Sequence, residues 1–175
     1  MKKILNDEFI TSLWSGGETT QIYIDPSHAT VGEKNFTYRI SSATCDMEES
    51  IYTPYPDYLR YLIPLTNEMT LDIEGEIVRL KPFEILSFDG KQEVKSTGDV
   101  RDFNLIYRRD QKAHIYCSID EDLEYRAPTK SLIFKYDGNS TVNGEYFEEF
   151  SAILLEEGEG IVLKGNGRHI ICEIG

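Results

Sequence analysis

The sequence predicts an all-β protein that folds as a sandwich or a barrel. About a dozen short segments combine β-branched or aromatic residues with alternating apolar and polar side chains, the pattern of a half-buried strand. Turn signals such as "FDGK", "YDGN" and "KGNG" separate these segments. Helix signals are scarce. Many short strands at this spacing are typical of sandwiches and barrels.

The predicted strands follow one another along the whole chain. In order they cover residues 20–24, 36–41, 58–65, 69–73, 76–80, 83–88, 102–109, 113–119, 130–136, 150–156, 160–164 and 169–174. Two short helical turns are expected besides them. One is capped by Asn6 or Asp7 and ends before Trp14, and the other covers residues 44–50.

A faint internal repeat divides the chain. Residues 71–88 and 155–174 both contain a leucine, an acidic glycine turn, an Ile-Val-containing strand, a second turn and an apolar strand. This repeat predicts two related β-barrel halves that meet near residue 111. Because no linker-like segment marks that boundary, we expect the halves to pack together.

Charge limits the classes of partner. The 175 residues include 31 acidic and 18 basic ones, which gives a net charge of −13. Such a surface repels phosphate backbones, and no Lys/Arg stripe overcomes that, so nucleic acid is excluded as an expected partner. Any anionic ligand requires a local basic pocket, which makes arginines in patterned positions informative.

Other features predict a cytoplasmic protein without a membrane partner. No apolar run approaches the length of a membrane span, and the first ten residues do not resemble a signal peptide. Three widely spaced cysteines, Cys45, Cys117 and Cys172, fit a reducing compartment better than a disulfide framework.

Neither a metal site nor a catalytic residue is predicted. A metal in a small β-barrel typically needs two histidines one residue apart, a carboxylate and a third histidine, whereas His28, His114 and His169 are isolated. No nucleophile motif is present, and Cys117 lies three residues from His114, which places the two on opposite faces of a strand. We therefore expect no cofactor.

Arginines on the polar faces of strands are the most informative feature. Alternation places an arginine among hydrogen-bonding residues in two strands, namely Thr37, Arg39 and Ser41 in one, and Asp102, Asn104 and Arg108 in the other. A third arginine, Arg60, lies in the strand predicted at residues 58–65. Alternation alone leaves two interpretations open. The polar faces meet solvent, or they line a cavity in which guanidinium groups bind a carboxylate through paired hydrogen bonds.

The order of motifs resembles the HutD/Ves family over about residues 12–110. The segments are "LWSGGETTQI", "FTYRISSA", "YTPYPDYLRYL", "FDG" and "GDVRDFNLIYRR". The matching positions are Trp14, Gly16, Gly17, Thr19, Arg39, Ser41, Arg60, Asp102, Asn104 and Arg108. The chain departs from the family pattern at Tyr38, where the family has tryptophan, and at Lys91, where it has an acid. It also lacks the serine and glycine of the aromatic-proline segment. We expect these changes to lie around the pocket mouth.

The resemblance implies a bicupin, which is two packed double-stranded β-helix (jelly-roll) barrels in one chain, without catalytic metal histidines. The N-terminal cupin barrel, with the ligand pocket, covers residues 1–111, and a C-terminal cupin-like barrel covers residues 112–175. An exchange of strands between the lobes is compatible with this division. The resemblance also implies a link to histidine utilisation in bacteria, through binding of an acidic intermediate such as formylglutamate, formiminoglutamate or urocanate.

We therefore predict a non-catalytic protein that binds a small-molecule carboxylate and acts as a sensor or modulator. The expected ligand-binding residues are Trp14, Thr19, Arg39, Ser41, Arg60, Asn104 and Arg108, and the supporting residues are Thr37 and Asp102. Arg39 is the expected anchor for the acid, Trp14 walls the pocket, and Asp102 holds an arginine in place. A homodimer is a further expected partnership.

Two alternatives stay open. The first is a metal-independent lyase or isomerase that acts on a similar acid with Asp102 as the general base. The second is a protein-interaction module whose acidic surface binds a basic partner.

Overall fold

The computed structural model describes residues 1–45 and 49–175 and divides into two compact units. The N-terminal unit comprises residues 10–111, and the C-terminal unit comprises residues 1–9 together with 112–175. The first nine residues thus belong to the C-terminal unit, whereas the sequence analysis grouped them with residues 10–111. The reason is a strand at Lys2–Ile4 (β1), which pairs antiparallel with residues 152–154.

The N-terminal unit consists of two antiparallel sheets. Its strands are β2 (Ile10–Trp14), β3 (Gly17–Asp25), β4 (Tyr38–Cys45), β5 (Ser50–Ile51), β6 (Tyr58–Pro64), β7 (Met69–Ile73), β8 (Glu76–Leu80), β9 (Leu86–Asp89), β10 (Val94–Thr97) and β11 (Val100–Arg108). Six strands form one sheet in the order β2-β3-β4-β11-β6-β9, and four form the other in the order β5-β10-β7-β8.

Apolar side chains from both sheets pack together in this unit. One cluster contains Leu62, Met69, Leu71, Leu80, Phe88, Val94 and Val100. Since Leu62 and Phe88 come from the six-stranded sheet and Met69 and Leu71 from the four-stranded one, the two sheets face each other. A second cluster contains Ala29, Phe36, Tyr55, Tyr58 and Ile106. Between these clusters, β4 and β11 carry polar residues on the same inner face.

The C-terminal unit is built on one seven-stranded sheet. Its other strands are β12 (Ala113–Ile119), β13 (Leu123–Arg126), β14 (Ser131–Val142), β15 (Glu145–Phe147), β16 (Ser151–Leu155) and β17 (Gly160–Ile174). The order is β1-β16-β14-β17-β12, with β13 paired to β17 and β15 to β14. Its core contains Tyr125, Ala127, Ile133, Val142, Phe147, Ile153, Leu155, Ile161, Leu163 and Ile171.

The predicted all-β class is confirmed, while some element boundaries are wrong. The strands expected at 160–164 and 169–174 are one strand, because residues 165–167 continue to pair with residues 138–140. The turn expected near Asn6 is a single 3₁₀ turn at Asn6–Glu8, and β2 then runs to Trp14.

The second helical turn, predicted at 44–50, is wrong where the structure describes it. Thr44 and Cys45 end β4 and Ser50 begins β5, while residues 46–48 lie outside the described residues. Within the described parts of the chain, no helix is long and apolar enough to cross a membrane.

Candidate anion-binding site

The N-terminal unit contains a cavity of about 420 Å³ between its two sheets. Strands β4, β6 and β11 supply one side of it, and residues 50–55 and Ser96 supply the other. Seven of the nine predicted site residues line this cavity. They are Trp14, Thr19, Arg39, Ser41, Arg60, Asp102 and Asn104.

Strand register explains why these side chains meet. Ser41 is paired with Gln21 of β3 on one side and with Asn104 of β11 on the other. Paired residues in an antiparallel sheet project to the same face, so the three polar side chains form a row across three strands. Two residues away on β4, Arg39 falls on that face by the same alternation.

Arg39 is a buried cation that pairs with no carboxylate among the described residues. Its side chain is 9% exposed, and its Nε donates a hydrogen bond to Gln21 Oε1 at 3.2 Å. Within residues 1–45 and 49–175, its two terminal nitrogens have neither a hydrogen-bond acceptor nor a carboxylate partner. Burial lowers the pKa of Arg39; the nearby phenol of Tyr55 acts in the opposite direction, and the charge of Arg60 lowers the pKa further.

Arg60 is held more firmly. Its Nη2 donates to Asn104 Oδ1 at 2.8 Å, and its Nη1 makes a long hydrogen bond to the Thr53 carbonyl at 3.5 Å. Its guanidinium lies over the rings of Tyr52 at 4.9 Å and Phe88 at 5.1 Å. Burial lowers the pKa of Arg60, and Nε is buried without an acceptor in the described residues. Arg60 therefore acts as a fixed positive charge in the wall.

Asp102 completes a chain of hydrogen bonds. Its Oδ1 accepts from Asn104 Nδ2 at 2.8 Å, and its Oδ2 accepts from the Tyr52 hydroxyl at 3.4 Å. Burial raises the pKa of Asp102 to about 6, although the charge of Arg60 and these hydrogen bonds oppose the rise. Asp102 thus contacts Arg60 only through Asn104, which binds both side chains.

Cationic groups outnumber anionic ones in the described lining of the cavity. It contains two guanidinium groups and, from the described residues, one carboxyl group. Among the described residues, the lining thus carries more positive than negative groups, although the chain carries a net charge of −13. Donors from Arg39, Ser41 and Asn104 lie on one face, which suits a ligand that accepts hydrogen bonds.

Two predicted site residues lie outside the cavity. Arg108 is exposed and forms an ion pair with Asp110, because it is the last residue of β11 and lies at the rim. Thr37 precedes β4, so strand alternation does not orient its side chain, and its backbone bonds to Asp25 and Arg108.

Two of the departures from the family pattern also lie away from the cavity mouth, contrary to expectation. Lys91 is exposed and lies 3.8 Å from Asp89, and the Tyr38 hydroxyl bonds to Gln111 at 3.4 Å. The altered aromatic-proline segment, in contrast, supplies cavity residues.

Sequence reasoning missed several cavity residues. It also missed Gln21, which does not line the cavity but accepts the hydrogen bond from Arg39; Gln21 lies two residues after Thr19 in the same strand, so alternation contained the signal for it. Tyr52, Thr53 and Tyr55 come from the aromatic-proline segment, which has no strand periodicity. Ser96 reaches the cavity from the opposite sheet, and nothing in the sequence pattern points to it.

The described residues include no group of three or more His, Cys, Asp or Glu side chains that is arranged to hold a metal ion. Among the described residues that line the cavity, only Asp102 and Cys45 are of these four types.

Comparison with family models gives a match to HutD over residues 6–173. The chain belongs to the HutD family. No curated protein matches the chain. The family part of the sequence-based resemblance is therefore confirmed for HutD.

Solved structures of low sequence identity share the fold. HutD from Pseudomonas fluorescens SBW25, in a formate condition, is 22% identical with a TM-score of 0.80, and the match covers 99% of this chain and 98% of that one. A conserved protein of unknown function from Pseudomonas aeruginosa PAO1 has the same identity and score, with 99% and 97% covered. A cupin 2 conserved barrel domain protein from Leptotrichia buccalis is 13% identical with a TM-score of 0.61, over 99% of this chain and 96% of that one. The fold is thus of the cupin type.

Proposed function

We propose that this protein binds a small carboxylate in the cavity of the N-terminal unit and acts as a sensor or modulator. The observation that carries the proposal is Arg39, whose charge is buried beside the cavity without a carboxylate partner in the described residues. A buried guanidinium without an anion is costly, so the side chain is arranged for a partner that arrives from solution. A carboxylate would supply two parallel acceptors for its terminal nitrogens.

The rest of the cavity supports a ligand of limited size. A volume of about 420 Å³ lies in the range of small-molecule pockets. The hydroxyl groups of Thr19 and Ser41 and the amide of Asn104 are placed to orient an acid, and Trp14, which is 38% exposed, walls the cavity. Membership of the HutD family supports a cupin-type protein linked to histidine utilisation, so formylglutamate, formiminoglutamate and urocanate are the first ligands to test.

We also propose the bicupin arrangement, with one barrel in each unit. On the motifs given in the sequence analysis, we further propose that the chain is related to the Ves proteins. The division of the chain after residue 111 and the antiparallel sheets of both units support two barrels. A crystal structure in which the strands of the C-terminal unit do not close into a barrel would contradict this part of the proposal.

The binding proposal is tested by thermal shift with N-formyl-L-glutamate, urocanate, glutarate and formate. Arg39→Ala is compared with Arg108→Ala, which removes an arginine from the surface at the end of β11. At a hundredfold excess over Kd, binding stabilises the native state by about 2.7 kcal/mol. We expect at least one acid to raise the Tm of the wild type and of Arg108→Ala but not of Arg39→Ala. An equal response of both variants, or no response of the wild type to any acid, would refute the proposal.

A second candidate function is favoured by Asp102. A cavity carboxyl group with a pKa of about 6 is suited to move a proton near neutral pH, as a metal-independent lyase or isomerase requires. Turnover of one of these acids by the purified protein, lost in Asp102→Asn while binding persists, would establish the enzyme. Binding without turnover in the wild type would refute the enzyme and leave the sensor or modulator as the proposed function.

A further inference from the structure

Asp102 carries the only carboxyl group among the described residues that line the cavity. Its side chain is enclosed, with the residue 6% exposed, and it forms no salt bridge in the described chain. An acid that enters the cavity therefore brings a second negative charge close to one that is already deprived of water. Two carboxylates in such a site disfavour the ionised form of one of them.

The groups that face Asp102 come from every neighbouring element. Arg60 of β6 supplies the nearest positive charge through Asn104, and Tyr52 approaches from the segment after β5. From β4, the Ala43 backbone N–H bonds to the carboxylate, and Arg39 lies farther along the same cavity wall. The charge of Arg60 is the favourable interaction that keeps the ionised form accessible, and it opposes the burial that raises the pKa of Asp102 to about 6.

The hydrogen bonds also provide a place for a proton. Asp102 Oδ1 is occupied by the Asn104 N–H at 2.8 Å, whereas Oδ2 faces the Tyr52 hydroxyl at 3.4 Å. A phenol oxygen both donates and accepts. The Tyr52 hydroxyl also lies 3.9 Å from Met69 Sδ, a weak acceptor toward which its hydrogen can turn. A protonated Oδ2 can then donate to the Tyr52 oxygen, and no group in the chain of hydrogen bonds loses its partner.

We propose that binding of an acid at Arg39 is coupled to the uptake of one proton by Asp102. This inference rests on the proposed carboxylate binding. The proton comes from water or buffer and is held on Oδ2; no covalent bond to the ligand forms or breaks. The physical cause is competition for one positive charge, because an anion between Arg39 and Arg60 draws on the field of Arg60 that supports the ionised carboxylate. Protonation removes the repulsion and retains the bond from Asn104.

The coupling is measured by isothermal titration calorimetry of the whole protein with N-formyl-L-glutamate at pH 7.5. Titrations in Tris and in HEPES, whose ionisation enthalpies differ, give the number of protons taken up. We expect nearly one proton per site, and an affinity that falls between pH 6 and pH 8 by about fortyfold in total. Binding without proton uptake refutes the coupling and leaves the carboxylate proposal intact, whereas absence of binding refutes both.

Asp102→Asn gives the sharpest test, since an amide has the shape of the protonated carboxyl group and carries no charge. It accepts from Asn104 and donates to Tyr52 in the same positions. We expect this variant to bind N-formyl-L-glutamate about a hundredfold more tightly than the wild type at pH 8, without proton uptake and with little dependence on pH. Asp110→Asn is the control, since it neutralises a surface carboxylate paired with Arg108. We expect this variant to take up protons on binding as the wild type does.

A gain of affinity cannot arise from damage to the fold, which makes the Asn variant informative in both directions. Weaker binding by folded Asp102→Asn at pH 8, or an unchanged proton count, overturns the inference. If that variant does not fold, Tyr52→Phe takes its place, because it removes the acceptor for the proton on Oδ2. Reduced proton uptake by Tyr52→Phe supports the coupling, and wild-type uptake contradicts it.

Discussion

Arg60 and Asp102 line the same cavity without forming a salt bridge, because the side chain of Asn104 stands between them. Asn104 accepts from Arg60 Nη2 at 2.8 Å and donates to Asp102 Oδ1 at 2.8 Å. One amide thus joins a buried cation to a buried carboxyl group, and neither charge is neutralised by direct contact. With Arg39, the described lining holds two guanidinium groups and one carboxyl group, and this excess of positive groups is what we expect an anion to use.

Removal of the linking amide should destabilise the protein. Asn104→Ala leaves Arg60 Nη2 and Asp102 Oδ1 without their buried partners, and each such loss costs about 1–3 kcal/mol. We expect a lower free energy of unfolding in urea for this variant. The control is Asn67→Ala, which removes an exposed bond to the Asp99 carbonyl and should change stability by less than about 1 kcal/mol. Equal effects of the two variants would show that the buried chain of hydrogen bonds does not stabilise the fold.

Gly17, from the Trp-x-Gly-Gly motif, should tolerate no side chain. It has φ +147°, and a Cβ atom there would lie 2.1 Å from the Thr44 carbonyl oxygen. Because β3 and β4 pair closely at this point and carry Thr19 and Ser41 to the cavity, Gly17→Ala should lower the Tm and weaken ligand binding together. Gly32→Ala is the matched control, since no atom lies within 4 Å of its added Cβ. An unchanged Tm for Gly17→Ala would contradict the close approach.

Buried His169 should make the stability depend on pH. Burial and, to a smaller extent, the charge of Lys135 lower the pKa of His169 to about 4, and the ring bonds to Ser140 Oγ at 2.9 Å. A base with a depressed folded-state pKa binds its proton more readily when unfolded, so stability falls as the pH drops from about 6.5 to about 4. Asp102, whose pKa is raised, acts in the opposite direction over about pH 6 to 4.

The measurable quantity is therefore the difference between variant and wild type. In urea unfolding at pH 7 and pH 4.5, His169→Gln should lose less stability on acidification than the wild type does. Exposed His28→Gln should behave as the wild type. An identical pH slope in His169→Gln and the wild type would rule out His169 as the cause.

Local alternation predicted the fold class and grouped several residues that line the cavity, although it left open whether their shared face meets solvent. Arg39, Ser41, Asp102 and Asn104 lie on the inner faces of two paired strands, so a period of two along each strand sufficed to group them. Alternation does not define where a strand ends. Arg108 follows the alternation of β11, but it is the last residue of that strand. There it is exposed and pairs with Asp110 instead of lining the cavity.

The features that the sequence did not predict depend on contacts between distant segments. Tyr52 and Tyr55 reach the cavity from an irregular segment, and Ser96 reaches it from the opposite sheet. The pairing of β1 with residues 152–154 joins segments about 150 residues apart in the sequence, which no local pattern encodes. Contacts between residues this far apart in the sequence depend on the packing of the whole fold.

The central claim, that an acid binds at Arg39, is tested most directly by a crystal structure of the protein with N-formyl-L-glutamate. We predict a carboxylate group whose oxygens lie within about 3.2 Å of the Arg39 terminal nitrogens, inside the cavity that Ser41 and Asn104 line. A ligand bound instead at the surface depression beside Arg108 and Arg109, or an Arg39 whose terminal nitrogens are paired with a carboxylate of the protein itself, would contradict the account.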